Sequence, residues 1–134
     1  MISLHIVSLV LISHLFADFF LQSRNQVRKK STNILFLLTH VLIYSSMTTF
    51  FWWLIDLNYD IKNILNYILI FLYIFIAHGL TDYVTSKLSR LAYLKTKNEN
   101  EKVNDLWEWV FWLIIGLDQT IHIISLFWIY LMFN

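Results

Sequence analysis

Three short stretches each place a histidine and an aspartate four residues apart: HLFAD at 14–18, HGLTD at 78–82 and DQTIH at 118–122, the last in reversed order. A spacing of four puts both side chains of a pair on one face of a helix. His40 adds a fourth imidazole. Imidazoles and carboxylates gathered in one interior suit a first-row divalent metal, as one ion or two, with zinc, manganese, iron and nickel all candidates. Such an ion would activate water and polarise a scissile carbonyl or phosphoryl group. His14, His40, His78 and His122 are expected as ligands, and Asp18, Asp82 and Asp118 as ligands or as catalytic bases. The aspartates have an alternative role, orienting ligating histidines from behind. Gln22 continues the Asp18 face by one further turn and Gln119 adjoins Asp118, so both are expected to touch substrate or to support a ligand. No hydroxyl nucleophile stands out. Cysteine is absent, which excludes thiolate metal sites, disulfides and cysteine nucleophiles.

The segments that must position these residues are apolar. The chain has 134 residues, 58% of them hydrophobic, 18% aromatic and only 14% charged, with a mean hydropathy of +0.60. A soluble domain carries about a quarter charged residues. Four stretches, about 2–22, 34–55, 64–84 and 107–132, meet the roughly 20 apolar residues needed to cross a bilayer. The expected fold is all-α: a single domain over 1–134, built as a four-helix transmembrane bundle whose short connections make sequential helices antiparallel neighbours. The first stretch lacks a basic lead and a small-residue cleavage site, so it reads as a retained helix rather than a secretory signal.

Basic residues in short loops favour the cytoplasm. The first connection carries Arg24, Arg28, Lys29 and Lys30, and the third carries Lys87, Arg90, Lys95, Lys97 and Lys102. The second has Lys62 against Asp56 and Asp60. Connections one and three are therefore expected inside and both termini outside, in a bacterial cytoplasmic membrane. Trp52, Trp53 and Trp128 are expected at the outer boundary and Trp107, Trp109 and Trp112 at the inner one. Residues 95–105 are polar without apolar periodicity and read as a mobile cytoplasmic loop, and SKLSRLAYL before them can prolong the third helix. Gly79 and Gly116 adjoin the polar pairs and suggest close helix packing there.

This orientation explains the reversed pair. The fourth helix runs opposite to the first and third, so all three pairs place the aspartate nearer the cytoplasm and the histidine deeper. Counted from Arg24 and Lys87, Asp18 and Asp82 lie roughly 8–9 Å into the membrane and His14 and His78 roughly 13–15 Å. His40 lies roughly 10 Å in, and Asp118 and His122 roughly 15 and 21 Å. An intramembrane aspartate costs roughly 2.5–3.5 kcal/mol on insertion scales. Polar pairs serving only as interhelical hydrogen bonds return roughly 0.6–2 kcal/mol each. Agreement in depth across all four helices favours a shared metal or proton-handling centre over separate hydrogen bonds. His5 lies nine residues before His14, on the opposite face, and reads as structural. Arg24, Lys87 and Arg90 lie near the mouth of the cluster, where they can set topology or meet an anionic headgroup or phosphate.

With HLFADFFLQ, LLTHVLIYS, HGLTDYVTSK and LDQTIHII in order, the chain resembles a family of small bacterial integral membrane proteins catalogued as domain of unknown function 3307. The first motif reads DFFLQ where the family favours a proline before the leucine. The resemblance implies a four-helix membrane protein whose motif residues are His14, Asp18, His40, His78, Asp82, Asp118 and His122, and it brings no activity with it.

The leading expectation is a membrane metal-dependent hydrolase acting from the cytoplasmic side on a lipid-linked or membrane-partitioned substrate. An alternative is a transporter or transporter subunit for a metal ion or small metabolite, using the polar layer as a transit or proton-coupling site. Four helices are few for that task without a homo-oligomer or a partner membrane protein. Bis-histidine haem binding and a non-catalytic assembly subunit are further readings. Membrane lipid is the expected surrounding and a lipid or small molecule the expected substrate, with no nucleic-acid partner.

Overall fold

Long runs of Leu, Ile, Phe and Trp, with no proline anywhere to interrupt them, form long helices. The computed structural model describes residues 4–56, 64–96 and 105–133, and every regular element within them is helical. Helix α1 spans Leu4–Leu15 and passes into a π-helical turn at Phe16–Phe20. Helix α2 is the short Arg24–Lys29, α3 is Ile34–Asp56, α4 is Ile64–Thr96 and α5 is Asp105–Phe133.

Among the described residues, three stretches are long and apolar enough to span a membrane: Ile34–Leu54, Ile64–Thr96 and Asp105–Phe133. The first apolar stretch, Leu4–Phe20, is shorter. Helix α4 continues through SKLSRLAYL to Thr96 instead of ending near Val84. Its 33 residues would measure about 50 Å at about 1.5 Å per residue, longer than a hydrocarbon core of about 30 Å. Most of the expected 95–105 loop, residues 97–104, lies outside the described residues.

The helices meet in a ring. α1 packs on α3 and α5, and α4 packs on α3 and, most extensively, on α5. Tyr73 meets Phe133 while Tyr93 meets Phe111, so the start of α4 lies by the end of α5 and its end by the start of α5. The outer surface is apolar, with Leu72, Ile76 and Leu80 of α4 and Ile121, Ile124 and Trp128 of α5 all exposed. The interior holds the polar groups. Four histidines, Asp18, Asp82 and Gln26 are buried. Apolar outside and polar inside is consistent with a membrane protein, since a chain in water would expose its charges first.

Two local expectations change. Trp52 is only 5% exposed and packs edge-on against Tyr130, so it belongs to the core rather than to an interfacial belt. The glycines do not mark tight contacts: a Cβ at Gly79 would reach Val41 at an ordinary 3.5 Å, and one at Gly116 would meet nothing within 4 Å.

The connection from α1 to α3 is built by its own polar side chains. Ser23 caps α2 by accepting from the Gln26 N–H at 3.3 Å, while Gln26 Oε1 accepts from the Ser23 N–H at 2.7 Å. This reciprocal capping box satisfies two helix-end donors. Gln26 is buried by it, and Lys30 then follows at the C-terminal end of α2.

Candidate metal centre

Each helix of the ring contributes to one buried polar cluster: His14 and Asp18 from α1 and its π turn, His40 from α3, His78 and Asp82 from α4, and Asp118, Gln119 and His122 from α5. On α1, α4 and α5 most of the apolar core lies on the far side of the histidine from the aspartate. Leu9 and Val10 precede His14, Ile74 precedes His78, and Leu126 and Ile129 follow His122. The cluster is thus floored by a packed apolar core.

The π turn changes what one pair does. Its wider turn, marked by Leu21 N–H donating to Phe16 C=O five residues back at 3.3 Å, rotates Asp18 relative to an ideal α-helix. No contact joins His14 to Asp18; both reach Gln119 instead. π turns recur at functional sites because they re-aim single side chains.

The centre of the cluster is His40. Its Nε2 lies 3.1 Å from Asp18 Oδ1, 3.2 Å from Asp82 Oδ2 and 3.1 Å from His78 Nε2. His78 Nε2 is in turn 3.7 Å from Asp82 Oδ2. A neutral imidazole has one N–H to give, so a single hydrogen faces three acceptor-capable atoms. Asp18 Oδ1 accordingly makes no aligned hydrogen bond despite its proximity. Four tetrahedral ligands at about 2.0–2.2 Å from an ion would stand about 3.3–3.6 Å apart. The four separations around His40 and His78, 3.1–3.7 Å, bracket that edge length, and the atom types suit a divalent metal.

Two overlapping groups have ligand atoms within 4.8 Å of one another: Asp18, His40 and His78, and His78, Asp82 and His122. They share His78. His122 has no hydrogen-bond partner on either ring nitrogen, although its Nδ1 lies 3.7 Å from Asp118 Oδ2, and His78 Nδ1 is also unpartnered. Buried polar atoms without partners cost about 1–3 kcal/mol each, a cost that a ligand would remove. The rings are held by stacking. Tyr44 lies flat on His78 with centroids 3.6 Å apart and planes at 9°, and His122 lies 4.1 Å from His78. This packing leaves no slot for a porphyrin.

His14 and Asp118 stand outside both groups. Gln119 Nε2 donates to Asp18 Oδ2 and Asp118 Oδ2, both at 3.1 Å. With its N–H groups so used, Gln119 Oε1 accepts from His14 Nε2 at 2.9 Å. His14 Nδ1 then accepts from the Tyr44 hydroxyl at 2.8 Å. Thr85 donates its hydroxyl to the other Asp118 oxygen. This chain of donors uses both His14 nitrogens and ties two carboxylates together through one amide.

The aspartates line a cavity of about 730 Å³ that no histidine reaches. Gln22 and Gln119 line it too. Of the basic residues, Arg90 lines the cavity together with Arg28 and Lys30, whereas Arg24 and Lys87 do not. Arg24 is exposed, and Lys87 sits over the Tyr83 ring at 3.6 Å. Lys30 donates to both Asp82 oxygens, at 3.0 and 2.9 Å. Sequence reasoning counted Lys30 only towards topology and passed over Tyr44, although Tyr44 lies four residues from His40 and so shares its face. His5 is exposed on α1, away from the cluster.

A family described as "Protein of unknown function (DUF3307)" has a sequence model that matches residues 6–134. No curated protein and no solved structure matches the chain.

Proposed function

The chain belongs to the DUF3307 family, whose description assigns no activity, and on the geometry of the cluster we propose a polytopic membrane protein with a divalent transition-metal centre that hydrolyses a lipid-linked or membrane-partitioned substrate. Its setting is a bacterial cytoplasmic membrane. Its body is a four-helix bundle with antiparallel neighbours, termini outside and the cavity opening towards the cytoplasm. The opposed ends of α4 and α5 and the basic residues around the cavity support that orientation.

One observation carries the metal reading: His40 Nε2 stands 3.1–3.2 Å from Asp18 Oδ1, Asp82 Oδ2 and His78 Nε2, with too few hydrogens between them to bond one another. Those four residues would hold zinc, manganese, iron or nickel, and His122 extends the set through the shared His78. When bound, such a metal supplies Lewis acidity for water activation and for polarising an acyl or phosphoryl oxygen.

The chain's own residues do the rest. Asp118 lies on the cavity wall outside both ligand groups, and its Oδ2, which accepts one hydrogen bond from Gln119, keeps a second lone pair to take a proton from water. Thr85 and Gln119 fix that carboxylate by hydrogen bonds. Gln119 also orients Asp18, and Tyr44 and His14 hold Gln119 from behind. The apolar core beyond the histidines closes the far end of the site, which favours a reaction centre entered from one side over a transport path.

The test is to incubate the purified, metal-analysed protein with a membrane-lipid extract and follow masses by mass spectrometry. The expected result is loss of one component with products that sum to it plus water, stopped by a chelator and by Asp118→Asn without loss of metal. A metal-loaded protein that consumes nothing would overturn the hydrolase. Failure of Asp82→Asn cells to take up a metabolite, with metal substoichiometric in the pure protein, would support transport instead.

A further inference from the structure

The cavity has a second chemical character beside its aspartate floor. Arg28 and Arg90 line it, and neither has a side-chain hydrogen bond or ion pair to another described residue. Lys30 adds a third cation, already shared with Asp82. Ser86, 8% exposed and lining the cavity, has a hydroxyl with no partner, and the amide nitrogen of Gln22 on the same wall is likewise unpartnered. Every one of these unused groups can donate a hydrogen bond, and two of them are planar guanidinium forks. An acceptor-rich anion is the complement of such a wall, and a phosphate matches guanidinium forks with several oxygens at once.

Apolar side chains line the cavity too: Phe19, Leu94, Phe111, Ile114 and Ile115. Phe19 and Leu94 are 58% and 54% exposed, so this lining runs out onto the apolar surface of the helices. A small hydrophilic phosphate would leave it bare, whereas an acyl or isoprenoid chain would cover it. A volume of about 730 Å³ is within the range that holds a headgroup with part of a chain.

We infer that the cavity binds a phosphate-bearing amphiphile, its phosphate against Arg28 and Arg90 and its chain along the Phe19–Leu94 wall. The inference names the substrate class of the proposed hydrolase and rests on that reading, because Asp18 and Asp118 also face the cavity and a bound cation offsets their repulsion of an anion. Arg28 and Arg90 are substrate-positioning groups and lie outside both ligand groups.

The test measures binding of phosphatidic acid, of diacylglycerol with the same acyl chains, and of inorganic phosphate to the purified full chain in phosphatidylcholine nanodiscs. Metal content is determined on the same samples. Phosphatidic acid is expected to bind at least about tenfold more tightly than diacylglycerol, and R28Q/R90Q to remove that preference, as two charged hydrogen-bonding groups are lost. The double variant is expected to keep its metal, and R28K/R90K to recover part of the preference. Equal binding of the two lipids by metal-loaded protein, or an unchanged preference in R28Q/R90Q, overturns the inference and leaves the metal centre standing. Inorganic phosphate binding as tightly as phosphatidic acid overturns the amphiphile. Selective lipid binding by metal-free protein retains the phosphate site and removes the proposed metal centre.

Discussion

The two sides of the polar cluster are made from the same residue types and end in different states. On the His14 side, Tyr44, His14, Gln119, Asp18 and Asp118 form a directed series in which each donor finds an acceptor. On the His40 side, His40, His78, Asp18 and Asp82 crowd ligand atoms together with too few hydrogens among them, and His122 is left without a hydrogen bond. A satisfied network rigidifies a core. An unsatisfied one in the same interior calls for a ligand. Much of the difference lies in Gln119, whose amide saturates one side by donating twice and accepting once, whereas on the other side Lys30 donates to Asp82 alone and leaves Asp18 Oδ1, His78 Nδ1 and both His122 nitrogens without a hydrogen bond.

Substitutions on the two sides should therefore diverge, and the largest effect is expected at the centre. His40→Ala or Asp82→Asn should lower metal affinity by more than about a hundredfold, exceeding the usual loss from an outer partner, as read by competition with a chromophoric chelator. An unchanged affinity would dissolve the distinction between the sides. Gln119→Ala comes next. It strips donors from Asp18 and Asp118 and the acceptor from His14, so affinity should fall about 10–100-fold, with the metal still bound at saturation.

His14→Ala should spare the metal and lower stability by about 1–3 kcal/mol, since it leaves the Tyr44 hydroxyl and the Gln119 carbonyl without partners in a buried place. Thermal unfolding in detergent beside metal analysis separates the two outcomes. Loss of metal in this variant would move His14 into the ligand set. The smallest change is expected from Lys87→Ala, within about 0.5 kcal/mol and with metal and lipid binding unaltered, because Lys87 lies over the exposed Tyr83 ring and does not line the cavity.

Much of the site was legible because helical periodicity is local. A spacing of four marked each histidine and aspartate as neighbours on a helix face, which holds for His78 with Asp82 and His122 with Asp118, and the reversed order of Asp118 and His122 indicated that the aspartates share one level. The cavity, lined by all three aspartates and no histidine, has that layering. Other features depend on information that spacing does not carry. FADFF contains no residue that announces a π turn, yet that turn parts Asp18 from His14 and sends both to Gln119. Lys30 reaches Asp82 from 52 positions away in sequence only because the Ser23–Gln26 capping box folds the connection back. Tyr44 was within reach of the spacing rule, but an aromatic in an apolar helix reads first as packing. The run of α4 through SKLSRLAYL was foreseen as an option, but spacing alone did not set where the helix ends. Basic residues mark where a membrane span leaves the hydrocarbon, and a helix continues beyond that point until something breaks it.

The central claim is that His78 belongs to a ligand set while His14, a histidine of equal burial, belongs to a hydrogen-bonded support. The most direct measurement is elemental analysis of wild type, His78→Ala and His14→Ala purified side by side in detergent. At least one equivalent of a divalent transition metal is expected in wild type and in His14→Ala, and a substoichiometric trace in folded His78→Ala. Metal-free wild type, or equal metal in all three proteins, would contradict that claim.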